Sequence, residues 1–193
     1  MRGFLKTWSI VLAARVKLLV FLNALFFVAV FVSAFVSSFV FVPPLLGEGF
    51  EVPSYLLSEG LVWMVPFIFV WNLFLSAFLV VTLPGLAFFG LSAILLAYRG
   101  AVWGFLLAFA STHLFLAALP TVVLEGEGYV LASVAGTVLG LSWFRPDWVF
   151  RGENVSRRQA LRKAFGECFY LYVLISVFLL VAAVVETVTL YLV

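Results

Sequence analysis

The stretch Leu18–Val42, LLVFLNALFFVAVFVSAFVSSFVFV, holds 25 residues and not one charged side chain. A bilayer core of ~30 Å takes ~20 helical residues per crossing, so the segment is long enough to span as a helix. Pro43-Pro44 ends it, because proline lacks the amide proton and biases the residue before it toward extended geometry. The run is too long for a signal-peptide core and has no convincing small-residue cleavage site, so it is expected to stay as a span. Outward from it the chain keeps the same character. Of 193 residues, 66% are hydrophobic and 10% charged, 23 are Phe, and the mean hydropathy is +1.25. A soluble domain cannot hide that much apolar surface. The expected fold is all-α, a polytopic membrane helical bundle forming a single integral membrane domain over 1–193.

The same composition removes whole classes of chemistry. Cys168 is the one cysteine, which excludes an internal disulfide, a thiol relay and a Cys-rich metal site. With one histidine, His113, and one aspartate, Asp147, neither a two-histidine zinc protease nor a paired-aspartate intramembrane protease has its parts. No catalytic residue, metal site or cofactor is assigned, and the protein is not expected to be an enzyme.

Charge placement sets the expected topology. Arg2, Lys6, Arg15 and Lys17 precede the first span with no acid before Glu48, and Glu48, Glu51 and Glu59 occupy 43–60 without a base. Between 145 and 163 come Arg145, Arg151, Arg157, Arg158, Arg162 and Lys163 against Asp147 and Glu153. The positive-inside rule puts the N-terminus and 145–163 in the cytoplasm and 43–60 outside, with an odd number of crossings between. Spans at 61–83, 101–119 and 129–144 give that number. Residues 85–98, after Pro84 and before Arg99, are then expected to form a short re-entrant or interfacial helix, and 2–17 a helix lying on the interface. Ser156 and Gln159 have the spacing of a capping box at the start of the last span. About five transmembrane helices result, with the C-terminus external.

Small residues recur at four-residue spacing: Ala29, Ser33, Ser37; Gly100, Gly104, Ala108, Thr112; Gly128, Ala132, Gly136, Gly140. Helices in lipid associate where small side chains let backbones approach, so these are read as packing within the chain, a homo-oligomer seam being the lesser reading. Polar groups in apolar runs carry more information, because an ionised side chain at mid-membrane costs roughly 2.5–3.5 kcal/mol even on the lenient insertion scale. Glu186 interrupts the last span. Glu125 and Glu127, placed in a Glu-Gly-Glu-Gly turn between the third and fourth spans, are expected at similar depth on the outer side. These three carboxylates, with His113 and Asn72, are the candidate polar or ion site. Set against that are two plainer readings: Glu125 and Glu127 in water with Glu186 reaching the interface, and His113, Asn72 and Asn23 as packing groups. Arg99 is expected to snorkel to the cytoplasmic interface. The basic run 157–163 suits anionic lipid better than nucleic acid, for no aromatic stacking platform accompanies it.

Two patterns resemble the stage II sporulation protein M family of five-span membrane proteins. One is Leu119-Pro120 through Glu125 to Ala132 and Gly136. The other is Ala182-Ala183-Val184-Val185-Glu186-Thr187-Val188-Thr189, similar to an Ala-Ala-x-x-Glu signature; Asn72 and Tyr98-Arg99-Gly100 through Gly104 fit the middle of the pattern more loosely. The chain departs by having Thr121-Val122 in place of His-Gly and Arg99 in place of Asn, as a divergent member would. The resemblance implies that Glu125 and Glu186 are the polar hallmark of the fold. It also implies a non-enzymatic membrane scaffold or partner-binding protein, since the sporulation member anchors cell-wall hydrolases. Membrane lipids and other membrane or envelope proteins are the expected partners. The alternative function is a small transporter or ion-coupled permease component that uses the carboxylates.

Overall fold

The computed structural model describes residues 2–40 and 61–192. The proline pair at 43–44 and the acidic segment 43–60 lie outside those residues. Among the described residues five helices are long and apolar enough to cross a membrane, over Trp8–Val40, Trp63–Ala87, Phe89–Ala108, Thr112–Phe144 and Arg157–Leu190. The protein is therefore a multi-pass helical membrane protein. Its outward surface carries Phe21, Phe31, Phe35, Phe67 and Phe74, whereas Ser76, Thr82, Ser92, Ser133 and many glycines lie inside. That distribution suits lipid outside and close backbone contact within.

The number of spans agrees with the sequence reading, but their division does not. Helix α1 runs unbroken over Arg2–Val40, so 2–17 is the first part of a span helix and not a separate interfacial one. Helix α2 (Leu61–Val70) continues as a π-helical segment, Trp71–Thr82, and then as the short α3 (Leu83–Ala87). In the π-helical segment Asn72, Ser76, Ala77, Val81 and Thr82 are buried. That recurrence about every five residues is what i→i+5 bonding produces, and it turns all three polar residues onto one inward face.

Residues 85–98 are not a re-entrant or interfacial half-helix. A single extended residue, Phe88, turns the chain, and α4 (Phe89–Ala108) is one continuous 20-residue helix with Arg99 in its middle. Ser92 donates its hydroxyl to the Val81 carbonyl at 2.7 Å and pins the two arms of the hairpin. The span expected at 101–119 is divided, its first part ending α4 and its last part opening α5 (Thr112–Phe144), and the span expected at 129–144 is the second half of α5. The chain breaks at 109–111, Ser111 caps α5 by accepting the Leu114 amide at 3.3 Å, and α5 runs Thr112–Phe144 with Pro120 inside it. The proline leaves one carbonyl of the preceding turn unbonded without stopping the helix. Glu125-Gly126-Glu127-Gly128 is consequently helix interior and not a turn.

A single turn, α6 (Pro146–Val149), leads to α7 (Arg157–Leu192). The Ser156 amide donates to Gln159 Oε1 at 3.0 Å and the Gln159 amide to Ser156 Oγ at 3.4 Å, the capping box read from the sequence. At the same end of the bundle Arg15 ties α1 to α7 and to the connecting segment. Its guanidinium donates to both oxygens of Glu167 at 2.9–3.0 Å and to the Val149 carbonyl at 2.8 Å. Both basic segments thus share one end.

The glycine stripes pack inside the chain. A Cβ on Gly104 would meet the Val30 carbonyl oxygen at 2.1 Å and one on Gly100 the Phe26 carbonyl oxygen at 2.7 Å, so α4 lies directly on α1. Gly136 and Gly140 receive the α3–α4 hairpin in the same manner.

Candidate functional site

Midway along α5, Glu125 is 2% exposed and sits one turn before Tyr129, so both project from the same face toward the π-helical segment and α4. Asn72 Nδ2 donates to Glu125 Oε1 at 2.5 Å. The Tyr129 hydroxyl lies 3.0 Å from Asn72 Oδ1 and 3.2 Å from Glu125 Oε2, and its one proton serves one of these at a time. Arg99 Nη2 donates to the Tyr129 oxygen at 2.8 Å, while the guanidinium carbon stands 4.8 Å from the Tyr129 ring centroid. Three elements therefore meet in a network of a carboxylate, a guanidinium, an amide and a phenol. Arg99 Nε has no hydrogen-bond partner, whereas both Glu125 oxygens, the Asn72 amide and the Tyr129 hydroxyl are engaged with one another or with Arg99 Nη2.

Arg99 does not snorkel to an interface. It is held inside the bundle, where the Tyr129 oxygen accepts its hydrogen bond and the carboxylates of Glu125 and Glu186 line the same cavity, at a position where an isolated charge would be costly. Next to this network is a cavity of about 250 Å³ lined by Phe67, Ile68, Trp71, Asn72, Arg99, Trp103, Glu125 and Glu186. Glu186, from α7, is the side chain that completes its polar wall.

Of the residues singled out from sequence, Asn72, Glu125 and Glu186 come together. Glu127 does not join them; it accepts a 3.4 Å hydrogen bond from Asn23 Nδ2 of α1, one contact of a separate pair of helices. His113 does not either. It is exposed in the first turn of α5, about 18 Å of helix rise from Glu125. Sequence reasoning missed Arg99 and Tyr129. The signal for Tyr129 was its four-residue spacing from Glu125. For Arg99 it was Ser111-Thr112, a helix start inside an apolar run, which moves the preceding span back to centre on the arginine.

Chemically, the site can hold a charge or a hydrogen-bond donor at mid-bundle. Among the described residues no three of His, Cys, Asp and Glu stand close enough to hold a metal ion. Cys168 is buried elsewhere, with its sulfur 3.5 Å from the Ala135 carbonyl oxygen.

A family model described as Stage II sporulation protein M matches residues 18–189, which takes in all five helices and the whole polar network. No curated protein and no solved structure matches the chain.

Proposed function

The chain belongs to the stage II sporulation protein M family, and from that premise we propose that it is a non-enzymatic membrane scaffold that holds partner proteins of the envelope or membrane. One observation carries the reading. At the end of the bundle where both basic segments meet, a groove of about 960 Å³ is lined by Lys17 and Arg151 as well as by Arg15, Trp148, Glu153 and Lys163. Arg15 and Lys163 are engaged with Glu167 and Glu153, whereas Lys17 and Arg151 are exposed and have no ion-pair partner among the described residues. Such a surface suits an acidic segment of a partner, which gains charge complementarity and a concave seat. The polar network at mid-bundle supports this as a rigid platform, since it ties α4, α5 and the π-helical segment together through charge-assisted hydrogen bonds.

Capture from native membranes tests the reading. The wild-type protein, solubilised in mild detergent, retains a specific protein partner, and Lys17→Glu with Arg151→Glu lowers recovery at least tenfold. Recovery of no specific partner, or equal recovery by the charge-reversed variant, would refute it.

The orientation follows from the same charges. The N-terminus and 145–163 lie in the cytoplasm, and 43–60 and the C-terminus lie outside. With Cys168 replaced by Ala, a membrane-impermeant thiol reagent applied to intact cells labels a cysteine at Ser54 and misses one at Arg151. The reverse pattern would invert the topology and leave the acidic partner to be sought on the other side.

The cavity beside Glu125 and Glu186 favours a second reading, a permease component that moves a cation past the carboxylates. Flux into proteoliposomes that falls to background in Glu186→Gln would support it. Flux unchanged by that substitution would exclude the carboxylate mechanism.

A further inference from the structure

We propose that the cavity between the π-helical segment and α4, walled by Trp71 and Trp103 and carrying Glu186, binds an organic ammonium ion with an apolar body. Two carboxylates and one guanidinium line it. The guanidinium is held on Tyr129 beside Glu125, and both Glu125 oxygens stand within hydrogen-bond reach of Asn72 and Tyr129. Glu186 is left over. It is half-buried and has no hydrogen bond or ion pair among the described residues. The site thus has one carboxylate more than it has guanidinium groups, and Glu186 stands open to a cation.

The walls decide which kind. Phe67, Trp71 and Trp103 line the cavity, and indole rings attract organic cations through their quadrupole. A hard metal ion needs several oxygen ligands, more than one unengaged carboxylate supplies. A second cavity of about 280 Å³ shares Trp103 and Glu186 and is otherwise lined mainly by apolar groups, among them Leu107, Leu114 and Leu190. The hydrocarbon body then fills the apolar annex. Either a free amine or the amine of a lipid headgroup has this chemistry. The site goes beyond the scaffold reading and stands apart from it, at mid-bundle and not at the basic end.

The test uses the full chain in nanodiscs of phosphatidylglycerol, with benzylammonium as probe and tryptophan emission as readout. Wild-type protein shows saturable quenching. Benzyl alcohol, the neutral analogue, binds at least tenfold more weakly, as benzylammonium does to Glu186→Gln. Phosphatidylethanolamine in the disc competes with the probe if the source is a lipid headgroup and leaves the curve unchanged if it is a free amine, and the site stands in both cases. Equal affinity for benzyl alcohol, equal affinity in a Glu186→Gln protein that melts as the wild type does, or displacement by sodium at the probe's own concentration would overturn the proposal. Should Glu186→Gln fail to fold, the alcohol comparison decides it on its own. Partner capture through the basic groove is unaffected by Glu186→Gln, so failure here and failure of the scaffold reading are distinguishable.

Discussion

Arg99→Met lowers the melting temperature of the detergent-solubilised protein by roughly 6–20 °C, the equivalent of about 3–5 kcal/mol for a chain of this size. The substitution keeps the length and apolar stem of the side chain while removing the one positive charge that lines the cavity shared by Glu125 and Glu186. Glu125 is then buried with an amide and a phenol as its only partners. Glu125→Gln costs less. It leaves Arg99 with the Tyr129 oxygen and with Glu186 on the same cavity wall, so the guanidinium keeps a counter-charge. Melting of the two single variants and the double variant closes the cycle, and the double variant loses less than the sum of the singles because neither charge remains to be stranded. Equal losses for the two single variants would mean that Glu186 does not compensate Arg99.

Gly140→Val has an effect of similar size and a different cause. A Cβ at Gly140 would lie 2.1 Å from the Gly85 carbonyl oxygen and 2.9 Å from Phe89 Cα, both backbone atoms of the hairpin between α3 and α4. Backbone cannot swing aside as a side chain does, so the hairpin must lift from α5. Overpacking typically costs about 1–3 kcal/mol, and the rigid partner places this site at or above the upper end. Gly166→Ala is the matched control. Gly166 lies on the exposed face of α7 with nothing within 4 Å of an added Cβ. There the substitution gains up to about 1 kcal/mol of helix propensity. Melting curves therefore move in opposite directions for the two glycines. A Gly140→Val protein that melts like the wild type would show that the hairpin does not rest on α5.

Helical membrane character was legible in the amino acids because it depends on sums. An uncharged run of 25 residues and a mean hydropathy of +1.25 hold whatever the chain does around them. The capping box at Ser156 and Gln159 was equally local, two residues a fixed distance apart in sequence. The glycine stripes announced close helix packing, and Gly100, Gly104, Gly136 and Gly140 do pack on backbone. Span boundaries were another matter. Isolated charges are costly in lipid, which by sequence alone sets Arg99 and the Glu-Gly-Glu-Gly stretch at the ends of spans, and each in fact lies within a span. Glu127, expected at the depth of Glu125 and Glu186, meets Asn23 in the bundle, and His113, read first as a packing group and second as a member of the polar site, is exposed.

Composition, the number of crossings and the four-residue packing pattern follow from the sequence alone, since each depends on residue type and local spacing. Which polar residues share a site was decided by tertiary structure. The cost of a charge in a membrane is set by its neighbours, and those of Arg99 are Tyr129, which lies 30 positions away, and Glu125 and Glu186 across the cavity. No window along the chain contains all four. Only the antiparallel return of α5 against α4, the inward face of the π-helical segment that delivers Asn72, and the docking of α7 bring them to one depth. There the pairing of opposite charges makes tolerable in the bundle interior what each residue alone would make costly.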